Sequence, residues 1–204
     1  MAHYAAVLDA CVLVPIALAD TLLRIAEREL YRPLWSDRIL AEAADAVLGV
    51  HSDIPPERVD KRFALMHETF EDARVEGWEG LETTITLPDP DDRHVVAAAL
   101  RGRADSIVTA NLQHYPIDTL DPLGIQVIHP DSFLLDQLDL APRIVLDVLR
   151  EQAANTHHPP PHAHRPRRAP RQSWRARVRR RSWTPDLMRV IAICDLGVTS
   201  LQTR

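Results

Sequence analysis

The sequence predicts an α/β protein built on a short, mostly parallel sheet. Short apolar or β-branched segments alternate with longer amphipathic ones, which is the pattern of βαβ units. Strands are expected at residues 4–9, 82–87, 105–109 and 125–128. No internal repeat is present, so a single layered domain is the expected architecture.

Helices are expected between and after these strands, and proline or a capping side chain marks where they begin. Ser36 is a good N-cap residue, and Asp89 directly precedes Pro90, which suits the first helical position. The expected helices cover 15–30, 36–50, 55–71, 89–101, 130–140 and 142–154.

The distribution of charge divides the chain into parts. Residues 1–150 hold 13 basic and 26 acidic side chains, a net charge of −13, whereas residues 151–204 carry a net charge of +8. Residues 156–185 contain no Asp or Glu and are rich in Pro, His and Arg. We therefore predict a folded domain over 1–140, a closing helix over 141–155, and a disordered basic tail over 156–204.

The cysteines and the N-terminal segment favour a cytoplasmic protein. Cys11 and Cys194 are two isolated thiols and do not form a disulfide framework. Asp9 interrupts the apolar N-terminal segment, and no basic residues precede it, so we expect no secretory signal. No uncharged run is long enough to span a membrane.

Acidic side chains lie at the edges of several predicted elements. Asp9 ends the first strand, and ligands of open α/β sheets bind beyond the carboxyl ends of strands, although an Asp there can also cap a backbone amide. Glu42 lies at the edge of the apolar face of its helix, where it can reach a cleft or extend into water.

The PDPDD segment contains three further carboxylates with different expected roles. Asp89 is the natural N-cap, so its role is expected to be structural. Asp92 is in line with Val95 on the apolar face of the helix, and Asp91 is rotated about 100° away. A carboxylate that points toward the core needs a compensating partner, and a metal ion would provide one. Asp92 is therefore the better ligand candidate.

Two polar residues follow the strand at 105–109. Asn111 can ligate a metal through its carbonyl oxygen or can be a turn residue, and Thr109 can orient a ligand or serve β-propensity alone. Carboxylate and amide oxygens are typical ligands of Mg²⁺ and Mn²⁺. Local positive charge for a phosphate is expected from Arg93, Arg101 and Arg103. The histidines of residues 1–150 show no paired ligand spacing.

Together, these segments resemble the PIN-domain nucleases, in particular the VapC-type toxins of toxin–antitoxin pairs. The resemblance covers roughly residues 4–140, and it is carried by VLDACVLV, SDRILAEAADAV and PDPDDRHVVAAALRGRADSIVTANLQHYP. The last segment is similar to a subgroup with PDPDDRHV and T-x-N in place of the more usual T-x-D. The chain turns to Arg and Pro after about Thr156, where relatives continue with an amphipathic segment.

The resemblance implies a fold, an activity and partners. The fold is a three-layer α/β/α sandwich, and the activity is that of a metal-dependent endoribonuclease. Asp9, Glu42 and Asp92 would hold Mg²⁺ or Mn²⁺, with Asn111 at the fourth position. The partners would be an RNA substrate and a cognate antitoxin, and we expect a homodimer that does not associate with a membrane.

Two other classes of function remain open. Asn111 in place of a fourth carboxylate is compatible with a weakly active or inactive RNA-binding or interaction protein on the same fold. A receiver-type phosphoryl-transfer protein also uses an acidic pocket. The absence of a lysine near the strand ends counts against it, because Lys61 lies in a predicted helix.

Overall fold

The structure, a computed structural model, describes residues 4–51 and 54–155, and this part of the chain contains a four-stranded parallel sheet. The strands are β1 (Ala5–Leu8), β2 (Arg32–Leu34), β3 (Ser106–Val108) and β4 (Gln126–Ile128). Their order in the sheet is β2-β1-β3-β4. The two central strands are buried throughout, as expected for a parallel sheet that is covered on both faces. The predicted α/β class is confirmed.

Helices connect the strands and cover the sheet. In chain order they are α1 (Ala10–Leu13), α2 (Ile16–Glu27), α3 (Asp37–Val50), α4 (Pro56–Thr69), α5 (Glu79–Glu82), α6 (Arg93–Gly102), α7 (Ile117–Leu120), α8 (Pro130–Leu140) and α9 (Pro142–Asn155). The predicted caps are confirmed: Ser36 accepts a hydrogen bond from the N–H of Ile39, and Asp89 accepts one from the N–H of Asp91. No helix in the described ranges is long and apolar enough to cross a membrane.

The predicted strand at 82–87 is wrong. Helix α5 ends at Glu82, and the following residues form a turn and then irregular backbone. Ile85 and Leu87 are buried while Thr86 between them is exposed, so the alternation in the sequence is real. Alternation reports which side chains are buried, and it does not require a hydrogen-bonded neighbouring strand.

The second strand is instead β2, which the sequence did not reveal. It has three residues and contains Pro33, a residue that normally argues against a strand. Proline is tolerated here because β2 lies at the edge of the sheet and pairs with β1 alone in it.

The order of the strands creates a switch point beside the end of β1. The chain leaves β1 toward β2 on one side and later returns to β3 on the other side. Because such crossovers are right-handed, the connections after β1 and before β3 cover opposite faces of the sheet. Ligands of open α/β sheets bind at this kind of position, in the crevice beyond the carboxyl ends of the strands.

The closing helix α9 packs against α2. Thr21 donates a hydrogen bond to Oε1 of Gln152 at 2.8 Å, and Nε2 of Gln152 donates to the carbonyl of Ala17 at 2.8 Å. Val145 and Val148 of α9 are buried. The helix therefore contributes to the core of the described part. The predicted tail over 156–204 lies outside the described residues.

Ending the chain after Ala154 is expected to leave the thermal midpoint of unfolding within about 2 °C of the full-length value. The reason is that this truncation keeps α9, while residues 157–185 combine nine arginines with no acid and many prolines. RNA binding should weaken at low salt alone, because the lost contacts are electrostatic. Thermal melts and binding titrations check both effects, and a chain ending after Ala141 is the comparison that removes α9. Failure of the longer truncation to fold would show that the tail contributes to the core.

Candidate active site

Asp9 and Thr109 follow the two central strands and meet at the switch point. Leu8 pairs with Val108, and the next residue of each strand is therefore Asp9 and Thr109. The Thr109 hydroxyl donates a hydrogen bond to Oδ2 of Asp9 at 2.6 Å. Asp9 is 5% exposed and Thr109 is fully buried. A buried carboxylate is thus held in one orientation at the edge of the sheet where a ligand is expected.

Cys11 provides a second contact to the same carboxylate. Its Sγ atom lies 3.2 Å from Oδ2 of Asp9, and the N–H of Ala110 points at Sγ from 3.3 Å. Burial, together with the nearby charge of Asp9, raises the pKa of the Cys11 thiol to about 12. The thiol therefore stays protonated near neutral pH and acts as a hydrogen-bond donor to Asp9.

Asp92 and Asp89 lie in the turn that leads into α6. Asp91 between them is exposed, whereas Asp92 is half-buried, as the helical phase predicted. Oδ2 of Asp92 lies 2.7 Å from Nδ1 of His114. One ligand atom from each of Asp89, Asp92 and His114 lies within 4.8 Å of the other two. The capping residue Asp89 is thus also part of a cluster that could hold a metal ion.

The charge environment of Asp92 connects this cluster to Asp9. Burial raises the pKa of Asp92 above its ordinary value, and the contact with His114 opposes that shift. The negative charges of Asp9 and Asp89 raise the pKa further. Repulsion of this kind is expected among carboxylates that share a site without a cation.

Glu42 projects from α3 and is held by two basic side chains. Its Oε1 atom lies 3.0 Å from Nε2 of the buried His94 and 3.3 Å from Nε of Arg38. Burial alone would raise the pKa of Glu42, but the hydrogen bond and charge of His94 and the charge of Arg38 lower it below its ordinary value. Glu42 is therefore an ionised carboxylate in the fold.

Tyr115 shows that the candidate carboxylates face a common region. Its side chain is 3% exposed, and its hydroxyl has no hydrogen-bond partner within the described ranges. Burial raises the pKa of this hydroxyl, and the charges of Asp9, Asp92 and Glu42 raise it further. The separation of about 4–8 Å expected between their carboxylate carbons stays a prediction.

Asn111 lies beside this group but contacts it through its backbone. Its side chain is exposed, and its N–H donates a hydrogen bond to Oγ1 of Thr109 at 3.0 Å. The structure therefore gives Asn111 a positional relation to the site, and its role as the fourth ligand stays a prediction.

The positive charge near the site comes from a residue that the sequence did not single out. Arg101 and Arg103 lie at the far end of α6, roughly 13 Å or more from Asp92 at 1.5 Å of rise per residue. Their expected place beside the site is therefore wrong, whereas Arg93 stays near it at the start of the helix. Arg38 lies at the site instead, where it also contacts Glu82 at 2.9 Å.

Sequence reasoning also missed both histidines of the site. His94 lies two residues after Asp92, and His114 lies three residues after Asn111 in the same connection. Each is separated by many residues from the other members of the group, so a search for paired ligand spacing fails. Proximity in sequence to a candidate ligand was the available signal.

The side chains present fit a divalent cation. Their donor atoms are carboxylate oxygens with one imidazole nitrogen at hand, a set that suits Mg²⁺, Mn²⁺ or a later first-row ion. A cation would also offset the mutual repulsion of Asp9, Asp89 and Asp92.

Comparison with known families agrees with this geometry. The family model described as the PIN domain matches residues 5–113, which is more than half of the chain. The chain belongs to the PIN-domain family. The matched segment contains β1 to β3 and every candidate site residue. The expected PIN-like α/β/α sandwich is confirmed.

The C-terminal part of this PIN-domain protein matches a second model. That model, described as the VapC50 C-terminal domain, matches residues 130–165, from α8 to beyond α9. The chain is also 65% identical over 49 residues to "Putative ribonuclease VapC50" from Mycobacterium tuberculosis (strain ATCC 25618 / H37Rv). This match covers 24% of the chain and 29% of the relative, so it spans under a third of either protein. No solved structure matches the chain.

Replacing Thr109 with Val is expected to lower the free energy of unfolding by about 1–3 kcal/mol. The substitution keeps the shape of a fully buried side chain but removes the hydroxyl that donates to Asp9 and accepts from Asn111. Urea unfolding in EDTA measures the change. Thr69→Val is the matched control, since its hydroxyl bonds an exposed helix carbonyl. Equal effects in the two variants would contradict the role assigned to Thr109.

Proposed function

We propose that this PIN-domain protein is a metal-dependent endoribonuclease that hydrolyses phosphodiester bonds in RNA. The observation that carries the proposal is the buried Asp9 carboxylate, fixed at the switch point and electrostatically coupled to Asp92. In the proposal, Asp9, Glu42 and Asp92 hold Mg²⁺ or Mn²⁺, with Asn111 at the fourth position. Asp89 is a secondary candidate because it belongs to the cluster with Asp92.

The side chains of the site have separate tasks in this proposal. Thr109 and Cys11 orient Asp9, and His94 orients Glu42. The bound metal ion would supply an activated water and neutralise charge on the scissile phosphate. Arg38 is the cation that can contact the phosphate backbone, because it is 38% exposed and lies beside Glu42. Preorganised groups of this kind stabilise charge that develops in the transition state.

The cellular role follows from the relatives in the same way. We assign the protein to the toxin component of a type II toxin–antitoxin system, with a cognate antitoxin as its partner. The support is the match to the VapC50 C-terminal domain and the name of the relative, which describes a ribonuclease. A homodimer, a cytoplasmic location and membership of the PDPDDRHV and T-x-N subgroup are further parts of the proposal.

RNA cleavage assays with purified full-length protein test the activity. We expect cleavage in Mn²⁺ or Mg²⁺ that stops in EDTA and is lost in Asp9→Asn. This substitution is nearly isosteric, and the amide oxygen can still accept the hydrogen bond from Thr109, so loss of activity reports loss of charge. Asp45→Asn on the exposed side of α3 is the control for net charge. Cleavage that persists in Asp9→Asn would contradict the proposal.

A weakly active or inactive RNA-binding protein on the same fold is the second candidate. The observation in its favour is that Glu42 is already compensated by His94 and Arg38, and an uncharged Asn111 stands at the expected fourth position. The same assay separates the two candidates. RNA binding without cleavage in Mn²⁺, and with no effect of Asp9→Asn, would favour the second.

A further inference from the structure

His114 is the nitrogen-bearing member of the cluster formed with Asp89 and Asp92. Its Nδ1 atom lies 2.7 Å from Oδ2 of Asp92, and it is about one third exposed, so solvent and ions can reach it. The ligand atoms of the three residues lie within 4.8 Å of one another. Opposite ligands of an ion with bonds of about 2.1 Å lie about 4.2 Å apart, so the cluster is already close to the size of a coordination sphere.

A second feature points to a ligand at this position. The hydroxyl of the next residue, Tyr115, is buried and has no hydrogen-bond partner within the described ranges. It lies in the field of Asp9, Asp92 and Glu42. A buried hydroxyl surrounded by carboxylates is usually satisfied by water or an ion. The region around His114 therefore lacks a polar partner.

We propose that His114 ligates the divalent ion through an imidazole nitrogen, and that this ligand makes the site prefer Mn²⁺ to Mg²⁺. The inference rests on the proposed metal-dependent function and adds a residue and a metal preference to it. Carboxylates suit Mg²⁺ and Mn²⁺ alike, whereas imidazole favours first-row transition ions. Replacing one oxygen ligand by nitrogen thus shifts the preference without closing the site to Mg²⁺.

The alternative role for His114 is to orient Asp92 from outside the coordination sphere. In that role its ring would hydrogen-bond Asp92 with or without the ion, as the partners of metal ligands commonly do. The two roles differ in one observable: a bound nitrogen couples magnetically to the electron spin of Mn²⁺, whereas a hydrogen-bonded ring outside the coordination sphere couples far more weakly.

Pulsed electron paramagnetic resonance of Mn²⁺ bound to the full-length protein tests the proposal. We expect directly coordinated ¹⁴N in the wild type and its absence in His114→Ala, with a Mn²⁺ dissociation constant raised about tenfold or more. In His114→Asp, which restores an oxygen ligand, the coupling should be absent and the ratio of Mn²⁺ to Mg²⁺ affinity should fall. His67→Ala is the matched control, because His67 has the same exposure and contacts a carboxylate elsewhere.

The design separates His114 from other histidines. All variants are also made in a full-length chain whose tail histidines are replaced by Ala, namely His157, His158, His162 and His164. Circular dichroism checks that each variant folds, and His114→Asp serves if His114→Ala does not. A coupling that persists without His114 in this chain, or Mn²⁺ binding with no nitrogen coupling, would overturn the proposal.

RNA cleavage measured in parallel keeps this inference distinct from the proposed function. Cleavage that needs Asp9, together with Mn²⁺ bound through oxygen alone, would overturn the role of His114 and leave the nuclease proposal intact. Nitrogen coupling without any cleavage would do the reverse. Absence of Mn²⁺ binding at millimolar concentration would contradict both.

Discussion

Replacing Asp92 with Ala is expected to abolish metal-dependent RNA cleavage, with a loss of at least about 100-fold in rate. Asp92 is half-buried, faces the charge of Asp9 and contacts His114, so no neighbouring side chain in the described ranges is placed to substitute for it. Single-turnover cleavage of a defined RNA at saturating Mn²⁺ measures the loss. Asp91→Ala is the first control, since this adjacent carboxylate is exposed.

Asp89 separates the capping role from the ligand role in the same turn. Asp89→Ala is expected to cost about 0.5–2 kcal/mol in the free energy of unfolding, because it removes the side chain that caps the N–H of Asp91. Asp89→Asn keeps a good capping residue and removes the charge alone, so it should restore most of that stability. If Asp89→Asn ended cleavage while Asp92→Ala did not, the two roles would be reversed.

Manganese is expected to raise the thermal midpoint of the wild type by about 5–10 °C at a concentration 100 times its dissociation constant. An ion that binds the folded state alone adds about 2.7 kcal/mol at that ratio, and a fold of this size gains a few degrees per kcal/mol. Asp9→Asn should lose most of this increase. In EDTA the same variant should be at least as stable as the wild type, since it removes one of the charges that oppose ionisation of Asp92.

Asp45→Asn is the control for the stability prediction. It removes the same unit of charge from an exposed position on α3, so its response to Mn²⁺ should equal that of the wild type. Differential scanning calorimetry in EDTA and in Mn²⁺ gives all the values. An unchanged midpoint of the wild type in Mn²⁺ would show that the ion does not bind the folded state.

The sequence allowed most helices and three of the four strands to be predicted, because each has a local signal. Ser36 and Pro130 mark helix starts that the structure confirms, and the central strands are apolar enough to be recognised alone. Strand β2 was missed because its pairing with β1 is a tertiary property, and Pro33 gives the opposite local signal. The segment around Ile85 was misassigned because periodic burial is local and pairing is not.

The site divides in the same way. The helical phase of Asp92 against Asp91 could be read from the sequence, and the strand ends gave Asp9 and Thr109. The partners of these residues could not be read, because His114 reaches Asp92 across 22 residues. Arg38 illustrates the same difficulty. Its contact with Glu42 spans one helical turn and is predictable, whereas its contact with Glu82 depends on how α5 packs.

The convergence of Asp9, Glu42 and Asp92 on one divalent ion is the central claim, and a crystal structure with Mn²⁺ tests it most directly. Anomalous diffraction at the manganese edge locates the ion without reference to the protein. We expect a peak within about 2.6 Å of carboxylate oxygens of Asp9 and Asp92, with the three carboxylate carbons about 4–8 Å apart. A manganese peak away from Asp9, or an Asp92 side chain turned into solvent, would contradict the claim.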